Sequence, residues 1–335
     1  VKGRNSIRLE AKSEGEAGNN IKGKGEKSEG EGKSMLSITD GSAIEIYEIP
    51  EKNGDIASKI FEDSKIVAAE ASGKGPPDGE GNLSGGSGGK SPELKSYEEA
   101  LEKLESESDV DIIVACDVSD PAVHAAIDAH CKNMSKDAKN RIGVGTVGKD
   151  ESVDDIAKRT NVLASDRFVL AAPYGNAGAV AGLIGNLNYY DSPTFKPLTG
   201  VSELRESYSP TQLRKLLTAG VLALEAQKGR GIIVVKGIST SKEQISVTRI
   251  ADHAVRGVKN VSDNFIGTLN SPSGRLALKE KLREFLELME KEGAIVPSTD
   301  LTEPAFIIDV YSSEADFAQG IVRVDMAVRP VRAID

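Results

Sequence analysis

Between residues 95 and 172 the chain alternates amphipathic helices with short strands that are apolar on both sides, and this rhythm limits the possible folds more than any other feature. A helix with Tyr97, Leu101 and Leu104 on one face leads into Val110-Asp-Ile-Ile-Val-Ala-Cys116. The next helix opens at Asp120-Pro121, an acidic cap followed by proline in the first turn, and sets Val123, Ala126, Ile127 and His130 on one side. Arg141-Ile-Gly-Val-Gly-Thr-Val147 reads as a strand, Ser152 caps a helix through Val162, and Arg167 to Ala172 is a further strand that stops at Pro173. Strands with no polar face must be covered on both sides, and strand–helix alternation builds a parallel sheet. The expected fold class is therefore α/β, with the central layer over 93–240.

The flanks differ. Residues 1–92 read as a β-rich part that opens with a meander: a short strand with Ile7, Leu9 and Ala11 on one face, then Met35-Leu-Ser-Ile38 and Ala43-Ile-Glu-Ile-Tyr-Glu-Ile49 about an Asp40-Gly41 turn. A helix is expected over Asp55–Asp63 and a strand over Lys65–Ala71. Mobile loops are expected at 13–34, where Gly, Glu, Lys and Ser dominate, and at the Gly/Pro/Ser-rich 72–91. Ala219 to Thr240 reads as two apolar strands about Gln227-Lys-Gly-Arg-Gly231. Beyond it, long helices with Val247, Ile250, Ala254 and Val258 on one face, or Leu278, Leu282 and Leu286, precede the strands Ala305–Tyr311 and Gly320–Val328. A smaller α+β domain is expected over 241–335.

A formal net charge of −10 speaks against a nucleic-acid partner, because phosphate binding needs clustered cations. No segment approaches the length of a membrane span, and no signal peptide opens the chain. Cys116 and Cys131 lack metal-ligand spacing and are expected to be reduced, buried small residues, which suits a cytoplasm. The first residue, Val1, implies that the N-terminus is trimmed.

Three patterns invite a chemical reading. Gly143-Val-Gly-Thr-Val-Gly148 fits G-x-G-x-x-G, yet Lys149-Asp-Glu151 separates it from the cap Ser152, and no acid ends the next strand. Gly85-Gly-Ser-Gly-Gly-Lys-Ser91 imitates a phosphate loop, but Ser84 stands where its first glycine belongs and Pro92 follows. Asp117 ends an apolar strand, where subtilisin-type hydrolases keep an acid, and a triad would draw on His124, His130 or His253. His253 is expected on the polar side of its helix and His124 near a helix start among acidic neighbours. No serine on a glycine-rich turn stands out, so a subtilisin-fold hydrolase and a nucleotide-binding α/β enzyme remain as alternatives.

The chain as a whole resembles the contractile phage tail sheath proteins. The likeness is carried by Ala17-Gly-Asn-Asn-Ile21, Asn82-Leu-Ser-Gly-Gly-Ser-Gly-Gly89, His130-Cys131 before Arg141-Ile142, the strand Arg167–Tyr174 and the Ala219–Thr240 hairpin, in that order. The resemblance implies a central domain of subtilisin-like topology that needs no catalytic triad, and no cofactor or metal. It implies a helical polymer around a tail tube that shortens to drive the tube through the host envelope. Implied partners are further copies of the chain, joined by strand exchange through terminal arms, the tail tube protein, and baseplate and tail terminator proteins, with no nucleic acid or membrane. The implied place is the virion tail, assembled in the bacterial host cytoplasm. Strands from arms are expected to add to the sheet carrying Val310, Ile321, Val322, Val324 and Val328. Lys279, Lys281 and Arg283 are expected to face the tube. No arm lies before Val1 or after Asp335, so the chain is expected to be cut at both ends.

Overall fold

The computed structural model describes residues 7–27, 34–49, 54–71, 79–89 and 91–334. The chain divides into two compact units, Val1–Ser91 and Pro92–Asp335.

The first unit holds strands β1 (Ile7–Ala11), β2 (Lys22–Lys27), β3 (Ser34–Thr39) and β4 (Ile44–Ile49), helix α1 (Gly54–Asp63), and strands β5 (Val67–Ala71) and β6 (Gly79–Asn82). An antiparallel sheet runs in the order β4-β3-β2-β6, and β1 pairs antiparallel with β5. The β3–β4 hairpin turns where expected: Asp40 Oδ1 accepts from Ser42 N and Ala43 N, both at 2.8 Å, and Gly41 takes φ 91°. Ile7, Ile21, Leu36, Ile38, Ile60 and Val67 form the core.

Two expected loops are partly structured. Within 13–34, Glu16–Asn20 forms a 3₁₀ turn and Lys22–Lys27 is β2, while 28–33 lies outside the described residues. Within 72–91, Gly79–Asn82 is β6, and 72–78 and 90 lie outside the described residues. The reason is physical: β2 alternates buried and exposed positions, but its buried positions are Gly23 and Gly25 and its exposed ones Lys22, Lys24 and Glu26. A period-two strand written in glycine and charge has no apolar signal.

The second unit begins with α2 (Leu94–Leu104), β7 (Ile112–Val114), α3 (Pro121–Lys136), β8 (Ile142–Thr146), α4 (Val153–Leu163), β9 (Phe168–Ala172), α5 (Ala177–Asn186), α6 (Pro210–Ala219), β10 (Leu222–Gln227) and β11 (Gly231–Val234). Its five-stranded sheet runs β11-β10-β9-β8-β7, with β7 to β10 parallel and β11 antiparallel to β10, so the central layer is α/β as expected. Phe168, Leu170 and Ala172 point from β9 into a core with residues of α2, α3, α4 and α6, whereas Val169 and Ala171 point into another with α5. Both faces of the sheet are thus covered. β7 is shorter than the apolar run Val110–Cys116 and lies at the sheet's end; the chain turns at Asp117 with φ 56°. That early turn leaves Cys116 exposed, contrary to expectation, while Cys131 is buried.

The unit closes with α7 (Ile245–Asp263), α8 (Pro272–Lys291), β12 (Phe306–Tyr311), α9 (Glu314–Ala318) and β13 (Arg323–Val328). β12 and β13 form a two-stranded antiparallel sheet against α8, with a core of Ile250, Ala254, Leu278, Leu282, Leu286 and Ile308. β13 begins at Arg323, three residues later than the expected start at Gly320. Ile321 N is taken by Asp316 O and Ile321 O by Ser312 Oγ, so Ile321 and Val322 serve the α9 turn rather than the strand.

Candidate functional site

In an open parallel sheet, ligands bind beyond the carboxyl ends of the strands where strand order reverses. Here β7, β8, β9 and β10 follow one another across the sheet without reversal, and no such crevice forms. The glycines of the nucleotide-like motif serve packing instead. A Cβ at Gly143 would stand 2.6 Å from Ile127 Cγ2 and 2.8 Å from Phe168 Cδ2; one at Gly145 would stand 2.6 Å from His124 Nε2 and 2.7 Å from Phe168 Cζ. They let α3 lie close on β8. Gly148 N, which would face a pyrophosphate, donates to Glu151 Oε2 at 2.6 Å, and the same oxygen accepts from Arg159 Nη2 at 2.8 Å. The chain's own carboxylate occupies the anion position.

The histidines are equally committed. His124 is fully buried, its Nε2 2.9 Å from Val118 O, and burial pushes its pKa down to about 4. His130 Nε2 lies 2.9 Å from Arg141 Nη1, and burial followed by that guanidinium lowers its pKa. His253, expected on a polar face, instead stacks on Tyr189 with ring centroids 3.8 Å apart and leans on Phe285. The aromatic rings supplied by neighbouring segments override the arginines that flank it in sequence. Asp117 is exposed. Among the described residues none of the three histidines hydrogen-bonds a serine or a carboxylate, and no cluster of three metal-ligating side chains occurs. No helix among them is long and apolar enough to cross a membrane.

The motifs that carry the resemblance meet in space. Asn19, from the first, exchanges two hydrogen bonds of 2.8 Å with the backbone of Gly86, from the second. The phosphate-loop mimic is therefore pinned by an asparagine, and a Cβ at Gly86 would collide with Gly15 O. Arg141, fully buried, donates from Nη1 to Leu104 O at 2.8 Å as well as meeting His130, and reaches Glu107 O, so it caps the carboxyl end of α2. Thr240, at the end of the hairpin motif, donates N–H to Phe168 O at 2.8 Å and Oγ1–H to Ser165 O at 3.0 Å. Gly220, in αL at φ 93°, ends α6 where a Cβ would meet Thr240 O at 2.7 Å. Single residues in a sequence carry no sign of such partners.

What the structure leaves open is strand edge. The β12–β13 sheet has two strands, and among the described residues neither outer edge pairs with a third. Val310, Val322, Val324 and Val328 pack against the α7–α8 core, and Ile321 is 38% exposed. These side chains seat the sheet, so an added strand would meet its backbone edge. On α8, Lys279 Nζ binds Asp309 Oδ1 at 3.0 Å, Lys281 pairs with Glu284 at 2.7 Å, and Arg283 lies 3.9 Å from Glu280. The lysine hydrogen bond holds the Asp309 carboxyl below its usual range.

Among the described residues, a carboxylate at Gly148 N, histidines held by backbone, guanidinium and ring contacts, and unpaired edges of the β12–β13 sheet characterise this α/β scaffold. Residues 92–240 match the family model of the phage tail sheath protein central domain. It is 28% identical over 239 residues to the tail sheath protein of Bacillus phage SP01, covering 64% of this chain and 41% of that one. To the tail sheath protein of Staphylococcus phage Twort it is 24% identical over 279 residues, covering 75% and 45%. The chain thus spans less than half the length of these relatives. Its fold is similar to that of the sheath tail protein from Desulfitobacterium hafniense, with TM-score 0.75, 17% identity, and coverage of 100% of this chain and 79% of the other. The helical sheath of the anti-feeding prophage in its contracted state gives TM-score 0.60, 16% identity and coverage of 77% and 76%.

Proposed function

We propose that the chain is a structural subunit of a contractile phage tail sheath, which polymerises helically around the tail tube and shortens to drive the tube through the host envelope. The match of residues 92–240 to the sheath central domain carries this reading. The filled carboxyl end of the sheet supports a mechanical role over either enzymatic alternative. The work of shortening comes from an array of identical subunits that repacks cooperatively between two arrangements. The subunit works in the virion tail and is assembled in the host cytoplasm, beside tube, baseplate and tail terminator proteins.

The β12–β13 sheet is the acceptor for strands of neighbouring copies, through its backbone edges. Lys279, Lys281 and Arg283 face the tube. Prolines placed in turn at Val324 and Asp325 of the full-length protein test the acceptor. Consecutive strand residues point their N–H groups to opposite edges, so one proline strikes the open edge alone, where the monomer tolerates it. That variant is expected to melt like the wild type and to form no polymer that sediments. Wild-type polymerisation by both variants would overturn the acceptor role.

A further inference from the structure

The two ends of the five-stranded sheet carry opposite charge. On one face the helices follow the strands, α2 against α3, α3 against α4 and α4 against α6, so α2 lies at the β7 end while β11 closes the other. Four strand spacings set these ends about 20 Å apart. From Glu93 to Asp111 the chain places eight carboxylates against two lysines. Tyr97, Leu101 and Leu104 hold α2 to the core, and Glu98, Glu102 and Glu105 fall on one exposed stripe beside them. Lys95 is taken by Glu99 and Asp111 by Arg256, while Lys139 Nζ donates to the backbone oxygen of Glu105 at 2.8 Å. Among the described residues no cation pairs with the carboxylates of the stripe. Like charges four residues apart on a helix repel, and a cation laid across them relieves the repulsion.

At the other end, Gln227–Arg230 turns from β10 into β11: Arg230 N donates to Gln227 O at 3.1 Å and Gly229 takes φ 83°. The turn presents Lys228 and Arg230, both exposed, and Lys196 is exposed on the segment alongside β11, where Val234 N donates to Lys196 O at 3.1 Å. None of these three cations has an ion pair among the described residues, and the Glu225 carboxylate on β10 accepts from Gln227 Nε2 at 2.8 Å. Lys228 and Arg230 stand at most about 7 Å apart along the chain, and α2 rises about 6 Å from Glu98 to Glu102 and about 4.5 Å more to Glu105, so the spacings match. Three cations at a narrow tip give no stripe that could follow a nucleic-acid backbone.

We propose that the outer face of α2 in one copy receives the Lys228–Arg230 turn of a second copy of this chain. Because the two patches sit at opposite ends of one sheet, the contact is head-to-tail and repeats into an open filament instead of closing as a dimer. Each ion pair is weak and screened by salt, and repetition along the filament gives the contact its weight. That the partner is another copy rests on the sheath reading.

In the test, wild-type full-length protein is treated with a carbodiimide, which joins a lysine amine to a carboxylate without a spacer, and is then digested. A link from Lys228 to Glu98 or Glu102 is expected in the mass spectrum, and the width of the sheet makes it a link between copies. In parallel, Lys228→Glu with Arg230→Glu makes one variant and Glu98→Lys with Glu102→Lys another. Both replace exposed side chains and are expected to melt like the wild type. Each alone is expected to need at least about tenfold more protein to sediment as polymer. An equal mixture of the two, whose reversed faces match each other, is expected to polymerise at the wild-type concentration. Absence of the link, wild-type polymerisation by either variant alone, or Lys228 links that appear only when tail tube protein is added would overturn the docking; tubes formed by the wild type alongside any of these leave the sheath reading intact. The link in a protein that never forms tubes would support the docking and count against the sheath reading.

Discussion

At the scale of single residues, the positions that most invite a chemical reading turn out to be packing devices. Gly143 and Gly145 satisfy a nucleotide fingerprint because α3 needs the room, and no pattern of letters separates a glycine that admits a phosphate from one that admits a phenylalanine. Gly145→Ala is expected to lower stability by about 2 kcal/mol through overpacking against His124 and Phe168; an unchanged denaturation midpoint would contradict this. His124 makes a pH prediction. Its folded pKa of about 4 lies below the ordinary histidine value of 6.5, so the unfolded chain takes the proton first. The contribution is whole above 6.5, erodes as pH falls below it and is gone beneath 4, about 3 kcal/mol in all. His124→Gln is therefore expected to lose less stability than the wild type between pH 7 and pH 4 in urea titrations, and equal losses would refute the assignment. Arg141→Met is expected to cost about 3 kcal/mol, since the carbonyls of Leu104 and Glu107 lose their buried donor.

At the scale of elements, legibility followed apolar pattern. The elements from α2 to β9 and the β10–β11 hairpin were readable because strands apolar on both faces and helices with one apolar stripe have distinct periods, whereas α5 and α6 between them were not read. β2 and β6 were not, since Gly23 and Gly25 do the work of apolar residues; nor was the phase of β4, which is decided by the Ser64 and Lys65 partners of Glu45, about 20 residues away in sequence. Of the meander expected at the start, β3 and β4 pair as read, but β1 pairs with β5 in a separate sheet and the unforeseen β2 takes its place beside β3. Asn19→Ala should remove two hydrogen bonds to Gly86, costing the first unit about 2 kcal/mol. Hydrogen exchange is expected to quicken in β2 and β6 and to stay unchanged from α2 onward; faster exchange throughout would contradict a local pin.

At the scale of the whole molecule, the chain spends its buried polar groups on holding itself together and its open surface on strand edges and unpaired charges. The alternation of Val310, Val324 and Val328 was legible and marks the side of the β12–β13 sheet that seats on the α7–α8 core, while the backbone edges have no letter of their own. Electron microscopy of the full-length protein, expressed without any other tail component, tests the central claim most directly. Long striated hollow tubes of uniform diameter are the expected result; a monodisperse particle at high protein concentration, with no tubes under any salt condition, would contradict it.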